Sequence, residues 1–540
     1  MAEKIFVSKD FGIVANTGKD VSEQFQAFFD QATENAIFYI SAGEYILKSK
    51  IELDGLKNVT ISGFGAKLIG HFNPNPRFSA GAFEVTNCEK CTFKGFTYTN
   101  DNNTSSVGRI CGIDRQANTV DVRLLEGYRM TGNEPIHAID SCNEDYAPNW
   151  HASFNTPNPY PYTMIGDNVV RIFMYPTNAC YLETISIDEL MYIKHVFYDR
   201  PPFNFTACSD ITIEDLTFLS TAGIIFGVYP RSHNFTFRRI RATVKNGTKA
   251  LCAIPFDGIH IKGMTGKLIV EDCDFAFVGD DILNIHNKSA VVTTVEENAV
   301  NIGTVSEDWA REGDIVYIYD INSVEKKGQF KVKDCTTERI TFTDLEGELG
   351  EGDCLANSAF YASVEIRRCR VNGSRARGFL LRTENILVED CYFHGTSFAA
   401  ILITLDAVQW SEMGPAKNVV IRNNIFEGCG TAAGDRRAAG VRIDCRDDHN
   451  THGHGIYKAG VHKNITIEGN TFVNLNATAI SALAVDGLKI KDNKFINCDK
   501  HKENCEEYQS YFISLDACDN VEIEGNQIVG GSEDMLVYEE

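Results

Sequence analysis

The residues most able to do chemistry lie in two short segments. Phe256-Asp257-Gly258-Ile259-His260-Ile261 and Val278-Gly279-Asp280-Asp281-Ile282-Leu283-Asn284-Ile285-His286 read as successive copies of one strand. Asp257 precedes Asp280 by 23 residues and Asp281 by 24. If that interval is one turn of a coil, three carboxylates crowd one patch and His260 stacks near His286. Crowded carboxylates repel, so at least one is expected to keep its proton near neutral pH. A protonated acid beside an ionised carboxylate can cleave a glycosidic bond. Carboxyls about 5–5.5 Å apart suit retention and about 6.5–9.5 Å inversion, and spacing along the chain leaves both open. Asp-Gly and Asp-Asp also serve as plain turn formers.

Such a coil must be built by a repeat, and one runs through the chain. Ser209-Asp-Ile-Thr-Ile-Glu-Asp-Leu-Thr-Phe218, Gly266-Lys-Leu-Ile-Val-Glu-Asp-Cys-Asp-Phe275 and Glu384-Asn-Ile-Leu-Val-Glu-Asp-Cys-Tyr-Phe393 share a pattern. Lys417–Phe426, Lys463–Phe472, Asp486–Phe495 and Asp519–Ile528 continue it. Apolar residues alternate with polar ones, then a polar pair (Asp-Cys, Asn-Asn or Gly-Asn) marks a bend. Starts recur every 23 to 24 residues, or 33 where a loop is longer, with no amphipathic helix between strands. The pattern predicts an all-β chain, a right-handed parallel β-helix. Cys273, Cys369 and Cys391 hold one place in the repeat and should stack inward. Asp20-Val-Ser-Glu23 reads as a capping box that opens a short helix over the first coil, with Phe25, Phe28 and Phe29 on its apolar face.

Two stretches break the rhythm. Residues 106–199 and 288–358 carry short strands such as Thr119-Val-Asp-Val-Arg-Leu124 and Ala290-Val-Val-Thr-Thr-Val295, which suggest inserted small antiparallel β-barrels. The expected order is an N-terminal cap and first coils (1–105), a barrel (106–199), the coils with the acidic patch (200–287), a second barrel (288–358) and C-terminal coils (359–540).

Composition narrows the partners. Fifty-one Lys and Arg against 74 Asp and Glu give a net charge of −23, with no basic excess to displace counterions from nucleic acid or to hold an anionic membrane. No apolar run reaches membrane-spanning length. The start, Met1-Ala2-Glu3-Lys4-Ile5-Phe6-Val7, turns polar at Ser8-Lys9-Asp10 without a leader's apolar core, so a cytoplasmic protein is expected. Its 17 cysteines then read as reduced, mostly buried thiols, and Cys88-x-x-Cys91 has no second pair to complete a zinc site. Asp447-Asp448-His449-Asn450-Thr451-His452-Gly453-His454 is dense in ligand-type residues but lacks a metal-binding spacing, and a polar loop is expected there.

The run "FDGIHIKGMTGKLIVEDCDFAFVGDDILNIHN", with "RARGFLLRTENILVEDCYFHG", "AAILITLDAVQWSEMGPAKNVVIRNNIF" and the two interruptions, resembles glycoside hydrolase family 110 from about Asp10 to Gly530. That family comprises exo-acting α-1,3-galactosidases of the blood-group-B-cleaving type. The resemblance implies an inverting enzyme with Asp257 as general acid and Asp280 and Asp281 activating water. It implies that His260, Asn284 and His286 line the sugar pocket, and that Arg377, Trp410 and Glu412 clamp the terminal galactose. Trp410 would offer its face to the sugar. Arg375 and Arg382 are weaker candidates, either of which could be a solvated side chain. Bulky Ile282-Leu283 stands where a small residue is expected first, a departure that could narrow the pocket. The scheme needs no metal, NAD or other cofactor. The expected partner is an oligosaccharide or glycoconjugate with terminal α-galactose, and a homodimer is possible. Two other readings are a β-helix polysaccharide lyase or uronic-acid-specific hydrolase, and a noncatalytic glycan-binding solenoid.

Overall fold

Alternation of apolar and polar residues buries every second side chain of each repeat. Ile211 and Ile213, Phe235 and Phe237, Leu268 and Val270 point into one core, while the polar residues between them face outward. The structure is a computed structural model that describes residues 4–71, 83–101, 104–142, 158–197, 199–244, 254–306, 308–407, 410–432, 438–445, 457–475, 477–498, 512–530 and 537–539. Among these residues the strands of the coils stack in parallel on three faces, two of them sheets of 13 and 12 strands. The fold is a right-handed parallel β-helix.

The bend that closes each repeat has a stereochemical cause. Its first residue is left-handed in coil after coil: Asp215, Asp272, Asp390, Asn423 and Asp492 all have φ between 53° and 58°. Asp and Asn tolerate that region better than most residues, which is why they recur there. The following residue turns inward. Cys273, Cys369 and Cys391 form a column of buried free thiols, continued by Asn424, Asn470, Asn493 and Asn526. Each Asn Oδ1 accepts the backbone N–H of the column residue one coil earlier at 2.8–3.0 Å. Each Nδ2 donates to a carbonyl of the preceding coil at 2.9–3.0 Å. Beside them Phe393, Phe426, Phe472 and Phe495 stack with ring centres 4.8–5.2 Å apart.

The predicted N-terminal helix spans Ser22–Phe29 and seats Phe25, Phe28 and Phe29 in the core. The capping box does not form. Val21 is the N-cap, and Asp20 instead accepts from the N–H groups of Ser22 and Lys48, tying the helix entrance to the first coil.

Both interruptions are antiparallel. In the first, strands Ser105–Asp114, Thr119–Leu124, Ala138–Cys142, Tyr162–Gly166, Val169–Phe173 and Leu190–Lys194 form a six-stranded sheet around a core that includes Ile110, Val122, Ile172 and Ile193. The second closes on itself. Leu283–Glu296 pairs with Ala299–Ile302 and, through Arg339–Gly347, Lys326–Cys335 and Ile315–Tyr319, the ladder returns by Cys354–Asn357 to the starting strand. Leu283–Glu296 is one 14-residue strand, a rung of the helix at its start and a wall of the barrel at its end. The barrel is thus continuous with the acidic coil.

Candidate active site

The acidic segments lie on the third face. Ile259–Lys262 pairs in parallel with Leu283–Glu296, which pairs in turn with Phe379–Leu381. Ile259, Ile261, Leu283, Ile285, Phe379 and Leu381 turn into the core. In register, His260 stands opposite Asn284 and Lys262 opposite His286. His260 therefore meets His286 on the diagonal, their Nε2 atoms 3.1 Å apart and their rings nearly perpendicular.

One step before these strands, Asp257, Asp281 and Arg377 occupy matching places on three consecutive coils. Gly258 N–H donates to the Asp281 carbonyl at 2.9 Å, and Ile282 N–H to the Arg377 carbonyl at 3.3 Å. Asp257, Asp280 and Asp281 each bring a carboxylate oxygen within 4.8 Å of the others. Asp257 and Asp281 are buried and Asp280 is half-buried. The narrowing expected from Ile282 does not occur. Its side chain lies in the inner core, because the chain bends there and both Ile282 and Leu283 point inward.

Electrostatics follow from this crowding. Burial, reinforced by Asp280 and Asp257, pushes Asp281 up to about 8 against the pull of Arg377. Arg377 approaches that carboxylate with its backbone N–H at 3.3 Å and Nη1 at 3.4 Å. Burial also raises Asp257, although its bond to His260, Nδ1 to Oδ2 at 2.7 Å, works the other way. For His260, burial opposes the charge, but Asp257 outweighs it and the ring is easier to protonate than usual. Burial pulls His286 down to about 3. Within the trio, Asp281 thus keeps its proton near neutral pH.

On the other side of the histidines, Glu412 lies 3.4 Å from His286 Nε2 and 2.6 Å from Arg382 Nη1, which also reaches Asn284 Oδ1 at 3.4 Å. Burial would raise Glu412, but His286 and Arg382 hold it down at about 2. Trp410 is 56% exposed at the rim, its N–H bound to Asp406 and its carbonyl to Lys288. Arg375 and Arg382 are not solvated. Both are buried, Arg382 against Glu412 and Arg375 against Asp140 of the first inserted sheet, because each has a carboxylate waiting in the fold.

Sequence reasoning missed Lys262, which extending the alternation two residues beyond His260 would have found. It also missed Asp140, for which nothing near Arg375 in sequence gives a signal. His260, His286 and Glu412 form a second set of donor atoms within 4.8 Å of one another and, like the three aspartates, could hold a cation. The Asp447–His454 segment lies outside the described residues.

Residues 412–539 match the family model of the right-handed β-helix region. Over 509 residues the chain is 25% identical to Alpha-1,3-galactosidase A of Bacteroides thetaiotaomicron, covering 88% of this chain and 83% of that protein. It is 24% identical over 524 residues to Alpha-1,3-galactosidase B of the same organism, covering 91% and 82%. To Alpha-1,3-galactosidase A of Shewanella woodyi it is 22% identical, covering 99% and 93%. Among solved structures, a hyperthermoactive exopolygalacturonase from Thermotoga maritima superposes with a TM-score of 0.47 at 13% identity, covering 97% of this chain and 93% of that one.

Proposed function

We propose that the chain is an exo-acting glycoside hydrolase of the family 110 type that releases terminal α-1,3-linked galactose with inversion. The observation that carries the hydrolase reading is the trio Asp257, Asp280 and Asp281, gathered within 4.8 Å from two coils. Inversion rests on the family 110 resemblance and not on this spacing, which is shorter than the about 6.5–9.5 Å of a typical inverting pair. Likeness to proteins named alpha-1,3-galactosidase along most of the chain supports the substrate class.

In this scheme the acid protonates the glycosidic oxygen as the C1–O bond breaks. A water held between Asp280 and Asp281 attacks the opposite face of C1 and gives up its proton to Asp280, since Asp281, raised to about 8, already carries one. The products are β-galactose and the shortened acceptor. Asp257 is the acid and Asp280 with Asp281 position the water. His260 orients Asp257, Asn284 and Arg377 face the sugar from the following coils, and Trp410 stacks on it from the rim.

One observation favours a second division of roles. Asp280 is the least buried of the three, while Asp257 and Asp281 contact His260 and Arg377, which suits Asp280 as the acid with the other two on the water.

Hydrolysis of a B-type trisaccharide followed by proton NMR tests the reaction. Initial β-galactose is expected, initial α-galactose overturns inversion, and release of an unsaturated uronate overturns the galactosidase reading. Asp257→Asn, Asp280→Asn and Asp281→Asn assign the acid. The acid's variant keeps turnover of an aryl galactoside with a good leaving group while losing the trisaccharide, and the other two lose both.

A further inference from the structure

The first inserted sheet touches three consecutive catalytic coils, each time just upstream of a residue that acts. Asp140 on Ala138–Cys142 accepts a 2.7 Å hydrogen bond from Arg375 Nε, two residues before Arg377. On the paired strand Leu190–Lys194, Lys194 Nζ donates at 2.8 Å to the carbonyl of Pro255, two residues before Asp257, and lies 4.3 Å from the centre of the Phe256 ring. Tyr192, opposite Asp140 in register, belongs with Val107 and Leu190 to the cluster against which Phe277 packs, three residues before Asp280. Phe277 has φ +59°, a region that costs a bulky residue energy and that its surroundings must hold in place.

We infer that this inserted sheet is a brace, with Asp140 acting through Arg375 and Lys194 acting through Pro255 to hold Arg377 and Asp257 in register around Asp281. The inference rests on the galactosidase reading. Asp140, Lys194 and Arg375 are 3%, 1% and 7% exposed, and Arg375 Nε and Lys194 Nζ are directed at Asp140 and at the Pro255 carbonyl. Stability alone is a poor reason for them, since a buried ion pair is often matched or exceeded by apolar residues of similar volume. A directional bond does what an apolar contact cannot: it fixes the position of the backbone that carries the next functional group. Both are positioning residues, and a displacement of about 1 Å at such a site can cost about 100-fold in rate.

The double variant Asp140→Leu with Arg375→Met separates the brace from a merely structural contact. It is expected to melt close to the wild type, while kcat on the trisaccharide falls about 100-fold and KM changes far less. Its crystal structure is expected to show Arg377 Nη1 withdrawn from Asp281. Lys194→Met should lower kcat in the same way, and Asp140→Glu should recover part of the rate lost in Asp140→Ala. A folded double variant with kcat within twofold of wild type overturns the inference, as does an unchanged Arg377–Asp281 contact. If the double variant does not fold, Asp140→Asn is read by the same two measurements. Wild-type protein that fails to turn over the trisaccharide defeats the galactosidase reading instead, and the crystallographic distance then decides the brace alone.

Discussion

Nδ1 of His260 lies 2.7 Å from Oδ2 of Asp257, three residues away on the same coil. The contact joins the carboxylate trio to the His286–Glu412–Arg382 chain, because the other ring nitrogen of His260 faces His286 at 3.1 Å. One histidine thus couples an acid whose proton matters to a carboxylate kept ionised by arginine.

That coupling has a pH signature. His260 lowers the Asp257 pKa against burial, so His260→Leu is expected to raise it further. With Asp257 as the acid, the alkaline limb of the kcat/KM profile moves to higher pH. Movement of the acidic limb instead would make Asp257 a base and hand the acid role to a neighbour.

Asp281 makes a stability prediction. Its folded pKa of about 8 exceeds the ordinary 3.8, so between those values the folded state holds a proton that the unfolded chain has released. That contribution is complete below pH 3.8 and is lost as pH rises through about 8. Asp281→Asn carries no such titration. Relative to wild type its melting temperature should climb from pH 4 to pH 8 while activity is abolished, and a constant difference across that range would refute the shift.

The buried histidines predict the acid side. His462 accepts from Ala416 N–H through Nδ1 at 3.0 Å and donates through Nε2 to the Asp444 carbonyl, an arrangement that only the neutral ring can make. Burial lowers it to about 4, as it lowers His286 to about 3. Because the unfolded chain takes up these protons near pH 6.5, stability should fall as pH drops from 6.5 toward 4. His462→Gln should flatten that slope in thermal melts, whatever it does to the melting temperature at neutral pH. An unaltered slope would mean that His462 does not titrate there.

The asparagine column offers a test of the fold. Asn470→Ala strands the N–H of Asn424 and the carbonyl of Ile421, at a cost of about 3 kcal/mol. Asn470→Cys should cost less, because Cys369 and Cys391 fill the same slot in earlier coils. Equal losses in denaturant melts would show that the column does not tolerate either side chain interchangeably.

The solenoid was legible because its causes are local. Alternation buries every second residue of Ser209–Glu214 or Lys417–Arg422 wherever such a strand is placed, and Asp215 or Asn423 in the bend relieves a backbone strain that involves no distant partner. Counting through one uninterrupted coil also brought Asp257 to Asp281. It said nothing reliable about direction at the bend, where Ile282 turns inward out of rhythm.

Counting fails across insertions. Arg377 reaches Asp281 from 96 residues away because the closed barrel returns its chain to the coil it left, and Arg375 finds Asp140 across 235 residues. Repeat, bend chemistry and the clustering of acidic residues belong to the sequence by itself, since each depends on neighbours within one turn. Which carboxylate is buried, which arginine it meets and which histidine stays neutral were decided only by tertiary structure. Desolvation and pairing are set by whatever the folded inserts bring alongside, and no spacing encodes that.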